Sequence, residues 1–329
     1  MRIALLADLH ANREAGEACL AKLRRLGFDR AVLLGDIVGY GADPAWAVDT
    51  AQALVEAGGA AVLGNHDEAV VRDAQADADV QRHAHAQAAI AWTRARLSDA
   101  QRAFLAALPA TVEEDDRLYV HANAWAPLQW GYVANALAAA QSLSATRQRI
   151  TFCGHVHEPA LYHSQPEGGA RHFAPTPGVA MPLLGSRRWL AVPGSCGQPR
   201  DGNPAACCAL FDSVAGTLTL LRVAYDHHGA SAKVVAAGLP ESLALRLTRI
   251  ADGTIDAGLI SPDARDWDLA AADLVLSEAG GRLTDGEGRP VVYNRAMPVH
   301  GMLAASNGRL ATPLQGAIER LRDGRTQPV

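Results

Sequence analysis

Five short polar groups carry the residues of this sequence that could do chemistry, and each follows an apolar run. The groups are DLH with Asp8 and His10, GD with Asp36, GNHD with Asn65 and His66, VH with His121, and GHVH with His155 and His157. The Asp-x-His and His-x-His spacings place both side chains of a pair on the same side of an extended segment. Imidazole, carboxylate and amide-oxygen ligands together suit Mn, Fe or Zn better than they suit a thiolate site or an all-oxygen Ca or Mg site. The five groups therefore predict a metal site.

The number of candidate ligands exceeds what one ion needs. The seven are Asp8, His10, Asp36, Asn65, His121, His155 and His157. Two divalent ions that share a bridging carboxylate would use all of them, with Mn favoured and Fe or Zn as alternatives. Two ions about 3.5–4 Å apart serve phosphoester hydrolysis, because they activate water and stabilise the attacking and leaving oxygens. His66, next to Asn65, is predicted to protonate the leaving oxygen from outside the ligand set.

A series of strands is needed to bring these groups together. Apolar runs and helix-start signals predict strands over 2–7, 31–35 and 60–64, with helices over about 12–27 and 43–57. This order implies a parallel layer, and further strands are predicted at 118–120 and 150–153. Ligands bind at the C-terminal edge of such sheets, which is where the polar groups fall. A single histidine at a strand end is more often structural, so the prediction depends on the ordered set.

The remaining pattern predicts more helix and a second sheet. An Ala-rich helical region is expected over about 81–107, broken near Ser98. Later, Gly- and Pro-rich turns separate the β-like runs RRWLAV, CCALFD and TLTLLRVAY. Short runs of this kind predict a second sheet with antiparallel strands.

The composition narrows the class of protein. A length of 329 residues suggests about two domains, and a hydrophobic content of 49% allows a sizeable core. A net charge of −5 argues against binding nucleic acid or a membrane surface by bulk charge. No apolar run is long enough for a membrane span, and the N-terminus has no signal-peptide pattern. Five cysteines without a CxxC pair do not suggest a disulfide framework, so a cytoplasmic location is expected.

The order DxH, GD, GNHD, H and GHxH resembles that of the calcineurin-like metallophosphoesterase superfamily. The stretches GDIVGYGADP, PGSCGQPRDGNPAACCALFD and RVAYDHHGASAKVVAAGLPESLALRL further resemble its bacterial branch of small phosphoesterases. The resemblance covers Arg2 to about Leu247 and implies an α/β fold of four layers, αββα, with two metal ions. It is the basis for a metallophosphoesterase domain over residues 1–247.

The resemblance also implies a division of the ligands. Metal one would be held by Asp8, His10, Asp36 and His157, and metal two by Asp36, Asn65, His121 and His155, with Asp36 bridging and His66 near the leaving group. This chain departs from its relatives at Ala122, Asn123 and Ala124, where many have Gly-Ser-Pro after the middle histidine. Substrate preference is therefore not carried over.

Other candidate sites are weaker. The two lysines, Lys22 and Lys233, do not follow a glycine, so no GK[ST] phosphate loop is present in the sequence. Ser195 lies in GSCG rather than GxSxG, which favours a turn over a nucleophile. His83 and His85 fall in a predicted helix, where residues two apart do not face together, and they are expected to face solvent.

Residues 248–329 have a different character. A helix is predicted from Trp267 to about Ala279, followed by a hairpin with an Asp-Gly turn and a short strand over 301–307. The segment resembles the C-terminal end of the inositol monophosphatase superfamily, including bisphosphate nucleotidases, in which the residue at Asp268 contributes to a metal site. The upstream metal-binding Glu and the DPxDGT segment have no counterpart here. A non-catalytic fragment that packs or dimerises is favoured over a substrate-selecting lid or a partner-completed site.

These observations predict a dinuclear-metal phosphoesterase that hydrolyses a phosphomonoester or phosphodiester. One alternative is a nucleotide or dinucleotide polyphosphatase that uses the same site. An alternative of another class is a non-catalytic binding or assembly protein that keeps the fold. The expected partners are a small phosphoester or nucleotide substrate and, for the C-terminal fragment, a second copy of the chain in a homodimer.

Overall fold

Two parallel βα units open the fold, as the apolar periodicity predicts. The computed structural model describes residues 1–72, 84–240, 243, 257–260, 281–285, 288–292 and 303–307. Strand β1 (Arg2–Leu6) pairs in parallel with β2 (Arg30–Leu33), which pairs in parallel with β3 (Ala60–Ala61). β3 is shorter than predicted, because the N–H of Leu63 donates to the carbonyl of Pro109 instead of continuing the sheet.

The helices of the first part begin and end at recognisable signals. They are α1 (Arg13–Leu26), α2 (Pro44–Glu56), α3 (Asn65–Val71), α4 (Ala84–Arg94), α5 (Asp99–Ala106), α6 (Ala136–Ser144) and α7 (His227–Ala236). The Asn12 side chain caps α1 by accepting the N–H of Ala15. Ser98 marks the predicted break, because its hydroxyl accepts the N–H of Gln101 and caps α5. His83 and the side chain of His85 lie outside the described residues.

The strands form two six-stranded sheets. Sheet one has the order β3-β2-β1-β11-β12-β9, with β9 (Ala180–Pro182), β11 (Ala206–Asp212) and β12 (Thr217–Val223). Sheet two has the order β4-β5-β6-β10-β7-β8, with β4 (Thr111–Glu114), β5 (Arg117–Val120), β6 (Ile150–Phe152), β7 (Ala160–Ser164), β8 (Ala170–Phe173) and β10 (Trp189–Val192). Strands β5, β6 and β10 run parallel to one another, and β4, β7 and β8 are antiparallel to their neighbours.

The predicted membership of the second sheet is wrong for two of the three runs. CCALFD and TLTLLRVAY form β11 and β12, which extend sheet one by antiparallel pairing of β11 with β1. Only RRWLAV supplies a strand to sheet two, and that strand, β10, is parallel to β6. Apolar alternation identifies a strand but does not say which strand it will pair with, because the central strands of both sheets are buried on both faces.

Alternation along each strand builds four layers. On β1, Ile3 and Leu5 point to the cluster between the sheets, whereas Ala4 and Leu6 pack against α1 and α2. The sheets touch directly where the rings of Phe152 and Phe211 lie 5.3 Å apart. On the far side of sheet two, side chains such as Leu118, Val120 and Leu190 pack against Ala139 and Leu143 of α6. The four-layer αββα fold expected from the resemblance is confirmed.

The chain divides into two units, Met1–Ala251 and Asp252–Val329. The described part of the second unit is a three-stranded antiparallel sheet of order β13-β15-β14, with β13 (Ala257–Ile260), β14 (Gly281–Asp285) and β15 (Leu303–Asn307). The predicted strand over 301–307 is present as β15. The predicted helix at 267–279, with Asp268, lies outside the described residues. No helix in the described ranges is long and apolar enough to cross a membrane.

Candidate metal centre

The seven predicted ligands meet at one end of the two sheets. Asp8 follows β1, Asp36 follows β2, His121 directly follows β5, and His155 and His157 follow β6, while Asn65 begins α3. The structure brings them into two groups of facing ligand atoms that share Asp36. The six side chains of this set that carry a carboxylate or an imidazole are buried, and none is more than 5% exposed. The C-terminal edge of the parallel strands is therefore where the charged residues collect, as in open α/β sheets.

Group one contains Asp8, His10, Asp36 and His157. The Nε2 atoms of His10 and His157 are 3.1 Å apart. Nε2 of His157 is 3.5 Å from Oδ1 of Asp8, and Nε2 of His10 is 3.7 Å from Oδ2 of Asp36. Four potential ligand atoms therefore point at one small volume.

Group two contains Asp36, His121 and His155, and Asn65 adjoins it. Nε2 of His121 lies 3.4 Å from Oδ2 of Asp36 and 3.1 Å from Nδ1 of His155. The amide oxygen of Asn65 is 3.0 Å from the same nitrogen of His121. Oδ2 of Asp36 thus faces both groups.

Backbone carbonyls fix which nitrogen of each histidine carries hydrogen. The contacts are His10 Nδ1 to Val38 O at 3.2 Å, His121 Nδ1 to Leu34 O at 2.8 Å, His155 Nε2 to Trp130 O at 2.9 Å, and His157 Nδ1 to Gln198 O at 2.6 Å. A carbonyl oxygen can only accept, so each of these ring nitrogens donates. In a neutral imidazole the opposite nitrogen then presents a lone pair, and in all four histidines that nitrogen faces the cluster. This is how proteins orient histidine ligands of metals.

Nitrogens that carry lone pairs in the neutral imidazoles face one another across short distances. Nε2 of His10 and Nε2 of His157, at 3.1 Å, each have their hydrogen on the other side of the ring. The same holds for Nε2 of His121 and Nδ1 of His155. Two acceptors at this distance repel unless a proton or a metal ion lies between them. The donor set of imidazole nitrogens, carboxylates and one amide oxygen fits a divalent transition metal.

The electrostatics of the cluster also favour a positive charge. Burial lowers the pKa of His121, but the charge of Asp36, its hydrogen bond and the charge of Asp8 outweigh this and raise the pKa to about 9. Burial alone would raise the pKa of Asp36, yet His121, His66 and His10 hold it well below its usual range. Burial, with His121 beside it, lowers the pKa of His155 to about 3, so this imidazole is neutral and able to bind a metal at neutral pH. The site thus keeps a carboxylate charged while leaving a histidine lone pair free.

Residues in the left-handed backbone conformation bring the paired ligands together. The prediction that alternation along an extended segment does so is wrong. Asp8, His10, Asp36, His155 and His157 have φ between 49° and 69°, in the left-handed region, rather than on extended segments. Such a conformation costs of order 1–2 kcal/mol in a residue with a Cβ, and it concentrates at functional sites. The Asp-x-His and His-x-His pairs therefore converge through tight left-handed turns and not through strand alternation.

Two glycines are required by close approach of the carboxylates. A Cβ on Gly64 would lie 2.2 Å from Oδ1 of Asp36, and a Cβ on Gly154 would lie 2.8 Å from Oδ2 of Asp8. Gly64 opens the GNHD group and Gly154 opens the GHVH group, which explains the glycine at each of those positions. Any side chain there would displace a carboxylate that faces the metal groups.

His66 lies beside the ligand groups rather than in them. Its backbone N–H donates to Oδ1 of Asp36 at 2.9 Å, and its ring stands edge-on to His10 with centroids 5.0 Å apart. The ring of Tyr40 is 4.4 Å away on another side, and Gly39 is so close that a Cβ would lie 2.7 Å from Nδ1 of His66. The side chain is 8% exposed. The ring therefore has a fixed place next to group one.

Sequence reasoning missed the residues that hold the ligands in place. Asp67 is fully buried, and its carboxylate accepts the N–H groups of Val38 at 3.1 Å and Gly64 at 3.0 Å, which joins the loops after β2 and β3. Its position at the third residue of α3 after a glycine was the available signal, because acidic residues there bond the backbone before the helix. The indole N–H of Trp130 donates to Glu68, and the Trp130 carbonyl anchors His155. No pattern in the sequence marks a carbonyl for such a role.

The loop over residues 122–133, which differs from the relatives' Gly-Ser-Pro, borders group two. Its Asn123 side chain donates to the Gly131 carbonyl and accepts the N–H of Ala126, both at 2.8 Å. The Tyr132 ring lies nearly parallel to His155, with centroids 4.1 Å apart and an angle of 13°, while 54% of the residue is exposed. The loop thus places an exposed aromatic ring directly against a candidate ligand.

The weaker candidates have structural roles. The Ser195 hydroxyl donates to the Asp8 carbonyl and accepts the N–H of Gln198, as expected of a turn residue. Lys233 pairs with Glu14 and Asp43, at 2.7 and 2.6 Å. Neither residue contributes a side-chain atom to the two groups.

Comparisons with known proteins agree with the fold. The sequence model of the calcineurin-like phosphoesterase superfamily domain matches residues 1–216, and that of the inositol monophosphatase family matches residues 211–322. An uncharacterized protein of Methanocaldococcus jannaschii is 32% identical over 249 residues, which are 74% of this chain and 96% of that protein. The crystal structure of a metallophosphoesterase from Sphaerobacter thermophilus is 34% identical, with a TM-score of 0.66, over 76% of this chain and 100% of that one. A histidinol-phosphatase of Streptomyces coelicolor is 38% identical over 71 residues, 22% of this chain and 24% of its own length.

Proposed function

The chain belongs to the calcineurin-like phosphoesterase superfamily and is a metal-dependent phosphoester hydrolase, and we propose that it works with two divalent ions that share Asp36. The observation that supports two ions is the presence of two groups of facing ligand atoms with one carboxylate in common. Metal one would be held by Asp8, His10, Asp36 and His157, and metal two by Asp36, Asn65, His121 and His155. When bound, the ions would supply an activated water molecule and balance the charge of the phosphoryl group.

The protein's own residues would orient the reaction around those ions. The carbonyls that accept from the four histidines keep their lone pairs aimed at the two groups. His66 would donate a proton to the leaving oxygen, since its ring lies beside group one. Its backbone N–H is held by Asp36 and its ring lies against Tyr40, so it has a fixed place without being a metal ligand itself.

We propose Mn as the native metal, with Fe and Zn as alternatives. Four imidazoles, two carboxylates and one amide oxygen form a mixed nitrogen and oxygen set without a thiolate. That set is harder than a structural zinc site and softer than an all-oxygen magnesium site. The distinction is one of ligand chemistry and can be tested by reconstitution.

The direct experiment is metal removal and reconstitution of the full chain. After chelation and dialysis, we expect hydrolysis of p-nitrophenyl phosphate and bis(p-nitrophenyl) phosphate to be lost. Mn should restore it as two equivalents bind per chain, measured by inductively coupled plasma mass spectrometry. Full activity at one equivalent would contradict the shared-carboxylate proposal. A chain that binds two ions and hydrolyses no phosphoester would instead be the binding or assembly protein.

A nucleotide or dinucleotide polyphosphate is the second candidate substrate, and Tyr132 favours it. One face of this ring lies against His155, and the residue is 54% exposed at the border of group two. An exposed aromatic ring next to a phosphate site can stack with a nucleobase. A panel of nucleoside mono-, di- and triphosphates, dinucleoside polyphosphates and simple sugar phosphates distinguishes the two candidates by kcat/KM.

For residues 248–329 we propose a non-catalytic role. The inositol monophosphatase model matches 211–322, so part of its match falls on β11 and β12 of the first unit. The sequence of this segment contributes Asp268 but lacks the DPxDGT segment with which that family binds its ions. The simplest such role is to form a homodimer through this segment. Analytical ultracentrifugation of the full and shortened chains tests whether the segment is needed for a dimer.

A further inference from the structure

The segment from Ser195 to Arg200 is attached to the metal centre at both of its ends. Near its start, the N–H groups of Cys196 and Gly197 donate to the carbonyls of Ala7 and Asp8, at 2.8 and 2.9 Å. The Ser195 hydroxyl also donates to the Asp8 carbonyl, at 2.9 Å. The start of the segment is therefore bonded to the strand end that carries Asp8.

At the other end of the segment, Gln198 is hydrogen-bonded both to His157 and to the guanidinium of Arg200. Gln198 is 2% exposed, and its carbonyl accepts the Nδ1 hydrogen of His157 at 2.6 Å. Its side-chain oxygen accepts from Nη2 of Arg200 at 3.1 Å, and the Arg200 N–H donates to the His157 carbonyl at 3.3 Å. One residue thus orients a candidate ligand and the Arg200 side chain at the same time.

Arg200 has no counter-ion of its own within the described part of the chain. Two other partly buried arginines have one, since Arg222 pairs with Asp201 and Arg149 with Asp116 at 2.7 Å, whereas the described partners of Arg188 are backbone carbonyls. No carboxylate among the described residues lies within ion-pairing distance of Arg200. Burial raises the pKa of Asp8 to about 7 and lowers the pKa of His10 and His157, and the charge of Arg200 is a smaller, lowering influence on all three. A fixed, partly exposed cation at the edge of group one is suited to binding an anion.

We propose that Arg200 binds a non-bridging oxygen of the substrate's phosphoryl group and thereby favours phosphomonoesters, or terminal phosphates, over diesters. The inference rests on the proposed dinuclear phosphoesterase function. A diester has two non-bridging oxygens, and two ions can engage both of them. A monoester has a third, with a second negative charge, and this oxygen is left for the guanidinium. Arg200 is therefore a specificity-determining residue. It binds the third non-bridging oxygen of a monoester in the bound substrate and in the transition state alike.

The test compares Arg200→Gln and Arg200→Lys with the wild type, and Arg171→Gln serves as the control because Arg171 lies exposed on β8. For Arg200→Gln we expect kcat/KM on p-nitrophenyl phosphate to fall by about 10- to 100-fold, the effect of one charge-assisted hydrogen bond. On bis(p-nitrophenyl) phosphate it should fall by less than about threefold. Arg200→Lys keeps the charge and should lose less on the monoester than Arg200→Gln. The control should match the wild type on both substrates.

Inorganic phosphate supplies a readout that does not depend on turnover. Its affinity for the Mn-loaded protein, measured by calorimetry, should fall in Arg200→Gln by the same factor as the monoester kcat/KM, with two Mn still bound per chain. Equal losses on monoester and diester, or an unchanged phosphate affinity, would overturn the role of Arg200. A wild type that binds phosphate through Arg200 but hydrolyses no ester would instead refute the proposed function and leave the binding role standing.

Discussion

Replacement of Asp36 by asparagine is the sharpest perturbation of the proposed centre. Oδ2 of Asp36 faces His121 at 3.4 Å and His10 at 3.7 Å, so one carboxylate serves both ligand groups. Oδ1 accepts the backbone N–H of His66 at 2.9 Å. Asparagine can keep an oxygen acceptor for that N–H, so the substitution removes a negative charge while preserving shape and the link to His66.

The magnitude follows from the burial of that charge. Removing one partner of a buried charge pair costs about 3–5 kcal/mol, and each ~1.4 kcal/mol is tenfold in affinity. We therefore expect metal affinity in Asp36→Asn to fall by roughly 100- to 4,000-fold in both groups. Hydrolysis should fall at least as far, because activity requires both ions.

The assay has three measurements on one preparation. Metal content per chain is measured after dialysis against ~1 µM free Mn, turnover is measured on bis(p-nitrophenyl) phosphate, and the melting temperature is measured with and without Mn. Ligand binding stabilises a fold in proportion to the logarithm of its concentration over Kd, so the rise in melting temperature on adding Mn should largely disappear in the variant. Asp99→Asn is the control, since its side chain is 97% exposed on α5.

One result would refute the shared-carboxylate reasoning. If Asp36→Asn kept two Mn per chain and turnover within about threefold of the Asp99→Asn control, Asp36 would not bridge the ions. Loss of one ion with the other retained would assign Asp36 to a single group.

Four further predictions concern His66, Tyr132 and residues 248–329. His66→Ala should keep two metals yet lose more rate on methyl or alkyl phosphates than on p-nitrophenyl phosphate, because a good leaving group needs little protonation; equal losses would remove His66 from that role. Tyr132→Ala should raise KM for nucleotides by about 5- to 100-fold, the effect of one stacked base, while p-nitrophenyl phosphate is unaffected. A chain that ends at residue 247 should retain the metals and basal hydrolysis, and Asp268→Ala in the full chain should match wild type on inositol and nucleotide monophosphates. A lithium-sensitive monophosphatase activity lost in Asp268→Ala would contradict the non-catalytic role.

The clustering of the candidate ligands was predictable in part, because their positions follow from topology. Parallel strands end on one edge, so polar residues after β1 and β2 had to meet at the edge of sheet one, and those after β5 and β6 at the edge of sheet two. That the two edges adjoin follows from the packing of the sheets. The sequence pattern could not predict the local backbone conformation. The left-handed conformations at Asp8 and His155 have no signature in residue type beyond a mild preference of Asp and His for that region. The spacing argument therefore placed the candidate residues together for the wrong geometric reason.

The supporting contacts could not be predicted for a different reason. Every residue has a carbonyl, so nothing in the sequence selects Trp130 or Gln198 to orient a histidine. Arg200 follows His157 by 43 positions, and only the fold of the intervening strands returns it to the centre. The pairing of β11 with β1 was likewise hidden, because alternation reports burial and not the identity of the neighbour. The assignment of each ligand to an ion stays a prediction that metal content will test.

Three buried carboxylates explain how the centre is held in shape before any ion binds. Asp8 accepts the N–H of His155 at 3.0 Å, and Asp36 accepts that of His66 at 2.9 Å. Asp67 accepts the N–H groups of Val38 and Gly64. Each carboxylate therefore ties the end of one strand or loop to the next segment that carries a ligand. Because these ties are made by the protein alone, an arriving ion has to neutralise charge but does not have to rebuild the backbone, which is the preorganisation that charge stabilisation in a transition state requires.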